Sequence, residues 1–256
     1  ENDPNYNARI TLLRPNILAT YTAYDDAFAI DNLIVVAAHG FIASPKDDLL
    51  KMYVYKNKPF QKLKTAITTT ARNRIINTCQ NCTINEINSF DHLLPKDEFP
   101  EFAVNPKNLF PSCTQCNGYK STVWRHNGAT LFLNLYLDTL PIEQYLFVEV
   151  TVTDTIDAIF VVENRNNINP QTFALISSHY RRLHLTDRFR LNRDDVVSEL
   201  INTIKEMTLM LTEQQIREVL INKSNRDRQN LGNNHWKSIL AIELINSHVF
   251  FDFAIN

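Results

Sequence analysis

Glycine is scarce, at four positions in 256, which excludes a collagen-like or glycine-rich polymer. Long apolar runs are missing too. The longest, Leu33 to Ala38 and Ala158 to Val162, are core-sized and far short of the ~18 residues a membrane helix needs. Bulk charge is also absent. The formal net charge is -2, so the chain is no polycation, and any nucleic-acid binding must use a local basic face. The start, Glu1-Asn2-Asp3-Pro4, carries no signal-peptide pattern and no initiator Met, and reads as processed or trimmed. No internal repeat or low-complexity tract interrupts the chain. These absences point to a soluble cytoplasmic protein with no membrane partner.

What is present is ordinary globular material, 44% apolar and 21% charged. The length suits one large domain or two small ones, with a core that does not depend on disulfides. One stretch departs from the average. Residues 51–85 hold no Asp or Glu but carry Lys51, Lys56, Lys58, Lys62, Lys64, Arg72 and Arg74. A solvated face and a phosphate-binding face both fit this run.

The four cysteines form two C-x-x-C pairs, Cys79/Cys82 and Cys113/Cys116, with thirty residues between them. Two strained disulfides, a redox pair or four buried thiols would each use such pairs. A redox motif needs only one pair, and a reducing compartment disfavours disulfides. Four thiolates closing a tetrahedral zinc shell is the favoured reading. The gap exceeds the about fifteen to twenty residues of a zinc ribbon, so something is inserted between the knuckles.

The insert contains Ser89-Phe90-Asp91-His92-Leu93-Leu94-Pro95 and then Asn108-Leu109. Asn117-Gly118-Tyr119-Lys120 follows the second knuckle. Asn108 stands sixteen positions after His92, and Asn117 nine positions after Asn108. This string, C-x2-C-x8-D-H-x2-P, then N-L, then C-x2-C-N-x2-K, resembles the HNH endonuclease family in its zinc-stapled form. The specific likeness covers residues 79–120. A weaker likeness takes in Pro95-Lys96, Phe99-Pro100-Glu101-Phe102 and the helical tail with His179, Leu183, Leu185 and Arg188. It resembles the Septu-type and retron-associated HNH nucleases of bacterial anti-phage operons. That subgroup has Phe-Leu-His-Pro-Tyr-Phe-Asp after the finger. Here Phe132-Leu133-Asn134-Leu135-Tyr136-Leu137-Asp138 lacks the His and the Pro.

The resemblance implies an α+β chain built around a ββα-metal finger. Its first strand would span Ser89 to Leu93, its second would lie near Asn108-Leu109-Phe110, and its helix would begin near Thr114. The zinc would be structural, because so small a finger buries too little apolar area alone. Hydrolysing a phosphodiester needs an activated water and charge neutralisation at phosphorus. His92 has the pKa range for a general base. Asp91 and the Asn117 amide offer the oxygens a hard cation such as Mg2+ or Mn2+ prefers. By resemblance Asp91 and Asn117 are metal ligands, His92 is the base, and Asn108 orients the His-bearing loop. Products would carry a 5′ phosphate and a 3′ hydroxyl. Lys120, Arg125, Lys107, Arg72 and Arg74 are the expected phosphate contacts, with Lys120 on an exposed helix face. DNA is the expected partner. The resemblance also implies an ATPase partner from the same operon, and self-association stays open. A zinc-knuckle binding or assembly subunit is the alternative, as is a nuclease silent until the partner acts.

Three regions are expected: an N-terminal helical region over 1–75, the nuclease module over 76–130, and a β-hairpin with helices over 131–256. Asp25-Asp26 precede an apolar run, Ala27 to Ala38, that reads as a helix ended by Gly40. Leu146, Val148, Val150 and Val152 share a strand face, and the returning strand opposes them through Ile159 and Val161 or through Phe160 and Val162. Asn169-Pro170 opens a helix to about Leu183, and Arg193 to Leu211 repeats at helical spacing. Thr212 with Gln215 starts another helix, and a last one runs from Trp236 to about Val249. Trp124 and Trp236 read as core residues, and His126 as a surface histidine.

Overall fold

The computed structural model describes residues 3–256, and it divides into two compact units, one ending at Thr139 and one spanning Leu140–Asn256. Glu1 and Asn2, half of the N-terminal tetrapeptide discussed above, lie outside the described residues. The chain is a mixture of helices and small two-stranded sheets with a four-cysteine cluster.

In the first unit α1 spans Tyr6–Ala29, α2 Ala43–Lys51 and α3 Lys58–Thr68. Strands β1 (Ser89–His92) and β2 (Leu109–Ser112) pair antiparallel, and α4 (Thr114–Lys120) follows directly. A small ribbon, β3 (Arg125–His126) with β4 (Ala129–Thr130), comes next. The helix expected over Ala27 to Ala38 is a correction. Asp25-Asp26 fall inside α1, which stops at Ala29, and only a 3-10 turn at Leu33–Val35 follows. Leu33 and Val36 are drawn instead into a core with Tyr24, Ala27, Leu94, Phe99, Phe102 and Trp124. That packing outweighs local helical preference. A second cluster joins Phe60 of α3 to Phe90 and Leu109 of the strand pair. The second cluster anchors β1 and β2, and the first takes in Leu94 just beyond the end of β1.

In the second unit β5 (Leu146–Val152) and β6 (Ile156–Val162) form a hairpin. Val148 faces Phe160 and Val150 faces Ala158. The buried face of β6 is therefore Ala158 and Phe160, while Ile159 is 47% exposed. Of the two expected faces, the one through Phe160 and Val162 opposes Val148 and Leu146, and the one through Ile159 and Val161 does not, because the Thr153–Thr155 turn sets the register and one step swaps faces. Helices α5 (Pro170–Arg182), α6 (Leu185–Leu191), α7 (Asp194–Met207) and α8 (Glu213–Leu231) follow. The Asn169 side chain accepts from the amides of Gln171 and Thr172, and Thr212 forms a capping box with Gln215. The last expected helix is two: α9 (Trp236–Asn246) and α10 (His248–Ile255), bent by 85°. Ser247 breaks the run and caps α10 through Phe250 N–H. No single helix is long and apolar enough to cross a membrane. The bent pair passes on length and composition, but Trp236, Leu240, Leu244, Phe250 and Phe251 are buried in the unit's own core. Trp236 stacks on Phe189 at 5.1 Å and meets Phe160 edge-on at 6.0 Å.

Candidate active site

Two turns deliver the four thiols. The Cys79 amide donates to Asn85 O at 2.8 Å, and the Thr83 amide donates to Cys79 O at 2.7 Å. Thr83, next after Cys82, takes a left-handed φ of 53°, and its bond to Cys79 O closes the turn that holds both cysteines. Cys113 caps α4, its Sγ accepting from the Cys116 amide at 3.3 Å. The four sulfurs lie within 4.8 Å of one another, all buried, and all are free cysteines. Cys82 Sγ and Cys113 Sγ are 3.9 Å apart. Tetrahedral coordination with metal–sulfur bonds of ~2.3 Å places sulfurs about 3.8 Å apart, whereas a disulfide needs ~2.05 Å. The donor set therefore fits a zinc-sized ion. Sulfur donors from Cys116, Cys79 and Cys82 push the Cys113 thiol well below its ordinary range.

The strand pair and α4 carry the second group of residues. A cavity of about 350 Å³ is lined by Asp91 and His92 from β1, Asn117 from α4, and Tyr53 and Tyr55 from the segment before α3. His92 is 7% exposed and meets Tyr53 edge-on at 4.7 Å. Its Nε2 stands 3.0 Å from Ala103 O. A carbonyl only accepts, so Nε2 carries the proton and Nδ1 keeps its lone pair. Burial pushes His92 down to about 4, with the Ala103 carbonyl opposing and the Lys120 charge assisting. The ring is neutral at pH 7 and able to take a proton on Nδ1. Asn117 Nδ2 donates to Phe90 O at 3.1 Å, which leaves Oδ1 as its uncommitted polar atom.

Asn108 is elsewhere in the architecture. It is fully buried and does not line the cavity. Its Oδ1 accepts from Leu94 N–H at 2.7 Å and from the Tyr24 hydroxyl at 3.3 Å. Its Nδ2 donates to Leu94 O at 3.0 Å and Phe102 O at 3.2 Å. One amide thus clamps both ends of the loop that leaves His92 and returns past Ala103.

Lys120 differs from its expected place. Its helix face is buried, not exposed, and the residue is 6% accessible. Nζ pairs with Asp91 Oδ1 at 3.0 Å and donates to His92 O at 2.5 Å. Burial pushes the Asp91 carboxyl up, and the Lys120 charge pulls it back. Lys107, Arg125, Arg72 and Arg74 are exposed and lie outside the cavity lining. Lys107 pairs with Asp25 at 2.9 Å, and Arg125 pairs with Glu98 while lying over Trp124. His126 is exposed and both tryptophans are buried.

Sequence reading missed Tyr53 and Tyr55, whose only signal is period-2 spacing in an acid-free stretch. It also missed Tyr24 and Ala103, which act through a hydroxyl and a backbone carbonyl and leave no motif.

Similarity to known proteins covers only parts of the chain. Protein ea31 of Escherichia phage lambda is 30% identical over 181 residues, which is 66% of this chain and 61% of that protein. The Septu protein PtuB of Bacillus thuringiensis is 40% identical over 68 residues, 25% of each. The chain thus spans less than two thirds of either curated relative. No protein-family model matches, and no solved structure matches.

Proposed function

We propose that the chain is a metal-dependent endonuclease of the HNH type that hydrolyses DNA phosphodiester bonds in anti-phage defence. One observation carries the reading: Asp91, His92 and Asn117 line a single cavity on a strand pair and helix tied by four thiols. The partial likeness to a Septu protein supports the defence setting. His92 Nδ1 takes the proton from the attacking water, while the Ala103 carbonyl fixes its tautomer and plane. Asp91 and Asn117 Oδ1 are the oxygens that would hold one Mg2+ or Mn2+. When bound, that ion neutralises charge on the scissile phosphate and on the leaving 3′ oxygen. Asn108 is a positioning residue that holds the His-bearing loop. The four thiols would hold a structural zinc.

Asp91 already carries Lys120 on Oδ1, which favours a gated form of the same enzyme. In that form an ATPase partner from the operon releases the cutting.

The test is cleavage of supercoiled plasmid by zinc-loaded protein with Mg2+ or Mn2+, alone and with that ATPase. Divalent-dependent nicking leaving a 5′ phosphate and a 3′ hydroxyl is expected. Binding without cutting under every condition would move the chain to the class of zinc-knuckle binding or assembly subunits.

A further inference from the structure

The acid-free stretch carries seven cations, and the structure sorts them. Lys51 lies 3.9 Å from Asp48, and Lys64 turns inward to Ile87 O at 2.8 Å. The other five, Lys56, Lys58, Lys62, Arg72 and Arg74, are exposed, and their side chains make no hydrogen bond or ion pair among the described residues. Cations on the other side chains near the finger are committed: Lys107 to Asp25, Arg125 to Glu98 and Lys120 to Asp91.

The five follow one path. Lys56 comes directly after Tyr55, which lines the cavity. Lys58 and Lys62 are four apart on α3 and so share a face. That helix is anchored by Phe60 against Phe90 and Leu109, under the same strand that carries Asp91 and His92. At its far end a turn closes with Asn73 N–H on Thr70 O and Thr70 N–H on Arg74 O, both 2.9 Å. This turn displays Arg72 and Arg74. The 11 residues of α3 span ~16 Å at ~1.5 Å per residue, about five base-pair steps at ~3.4 Å each.

We infer that α3 and the Thr70–Arg74 turn form a phosphate-binding track that grips the backbone of duplex DNA beside the cavity. Unpaired cations with no carboxylate among them meet phosphates without first breaking an internal pair. The chemistry selects a duplex over a single strand. Single strands are held by exposed aromatic rings that stack on bases, and the only ring between 56 and 76 is Phe60, which is buried. Such a track reads backbone and shape, so binding is independent of base sequence.

The inference rests on the nuclease reading for its choice of ligand, so its test is binding without catalysis. A fluorescent 20-base-pair DNA duplex is titrated with the full chain in a His92→Ala background, between 50 and 200 mM KCl. Lys58→Gln/Lys62→Gln and Arg72→Gln/Arg74→Gln should each weaken binding about tenfold at 50 mM and flatten the salt slope by up to about 1.8. The control, Arg165→Gln/Lys223→Gln, removes two cations of the second unit that are ion-paired to Glu163 and Asp227 and should change affinity less than about twofold. Unchanged slopes in the track variants, equal loss in the control, tighter binding of the matching single strand or an RNA duplex, or no binding at all would overturn the track. Normal track behaviour in a protein that never cuts would sink the nuclease reading and leave the track standing.

Discussion

Among the described residues, the first unit buries ten polar side chains, including Asp48, Asp91, His92, Glu101 and Lys120, while the second buries five, of which only His179 and Arg188 are ionisable. The second unit is organised around apolar contacts, with Trp236, Phe160 and Phe189 in mutual contact and six helices closed by Leu, Ile and Phe. Its hydrophobic burial alone can hold it. The first unit spends its interior on groups whose desolvation costs free energy. Its strand pair has four residues in each strand and its helix seven. The difference is one of support: the unit with the polar interior is also the one whose four buried thiols could hold an ion.

Removing the ion is the most severe way to break this comparison. Metal binding at four-thiolate sites is worth on the order of 10 kcal/mol. Each unit holds one tryptophan, Trp124 in the first and Trp236 in the second. Chelation, or Cys113→Ser, should unfold the finger and shift the fluorescence of a Trp236→Phe variant that reports on Trp124. A Trp124→Phe variant should report an unchanged second unit. Loss of both signals together would deny the units separate stability.

Lys120→Met comes next in size. It leaves the Asp91 carboxylate buried without its partner, an imbalance that costs about 3–5 kcal/mol. Denaturant unfolding should show the loss in the first unit's transition alone. A shift below about 1 kcal/mol would mean that Lys120 is an ordinary surface lysine.

The second unit should answer to acid chiefly through His179, with burial holding His235 down in the same direction. Burial pushes His179 down to about 4 from an ordinary 6.5. The unfolded chain therefore binds more protons between those values, so stability is full above about pH 6.5 and falls toward pH 4. The loss reaches about 3 kcal/mol. A His179→Gln variant should flatten that slope in pH-dependent melting of the second unit, and an unchanged slope would place the titration elsewhere.

The smallest expected effect is local. Asn169→Ala removes the cap over the amides of Gln171 and Thr172 and should cost about 1 kcal/mol. It should lower the second unit's melting temperature and leave zinc content untouched.

How much of this was legible in the sequence depends on how far each contact reaches. The cap at Asn169, the capping box at Thr212 and the α4 start after Cys113 are local, and each stands where its residues predict. The cysteine spacing carried the thiol cluster because chemistry leaves two C-x-x-C pairs few arrangements. Two readings failed, and one stayed undecided between two faces, where distant residues decide. The run at Ala27 lost to packing of Leu33 and Val36 on Phe99 and Phe102. The β6 face was set by a turn that hydrophobic alternation alone could not count. Lys120 looked solvated because Asp91 is 29 positions away. Asn108 is the instructive middle case: its motif position was visible, but its role as a clamp needed Leu94, Phe102 and Tyr24 in place.

The most direct test of the central claim compares wild type with His92→Ala on supercoiled plasmid under single-turnover conditions, with Mg2+ and with zinc content measured on the same samples. The account predicts that His92→Ala keeps its zinc and its fold but loses about 10²- to 10⁴-fold in cleavage rate, the range a general base supplies. Equal rates for the two proteins, both fully zinc-loaded, would contradict it.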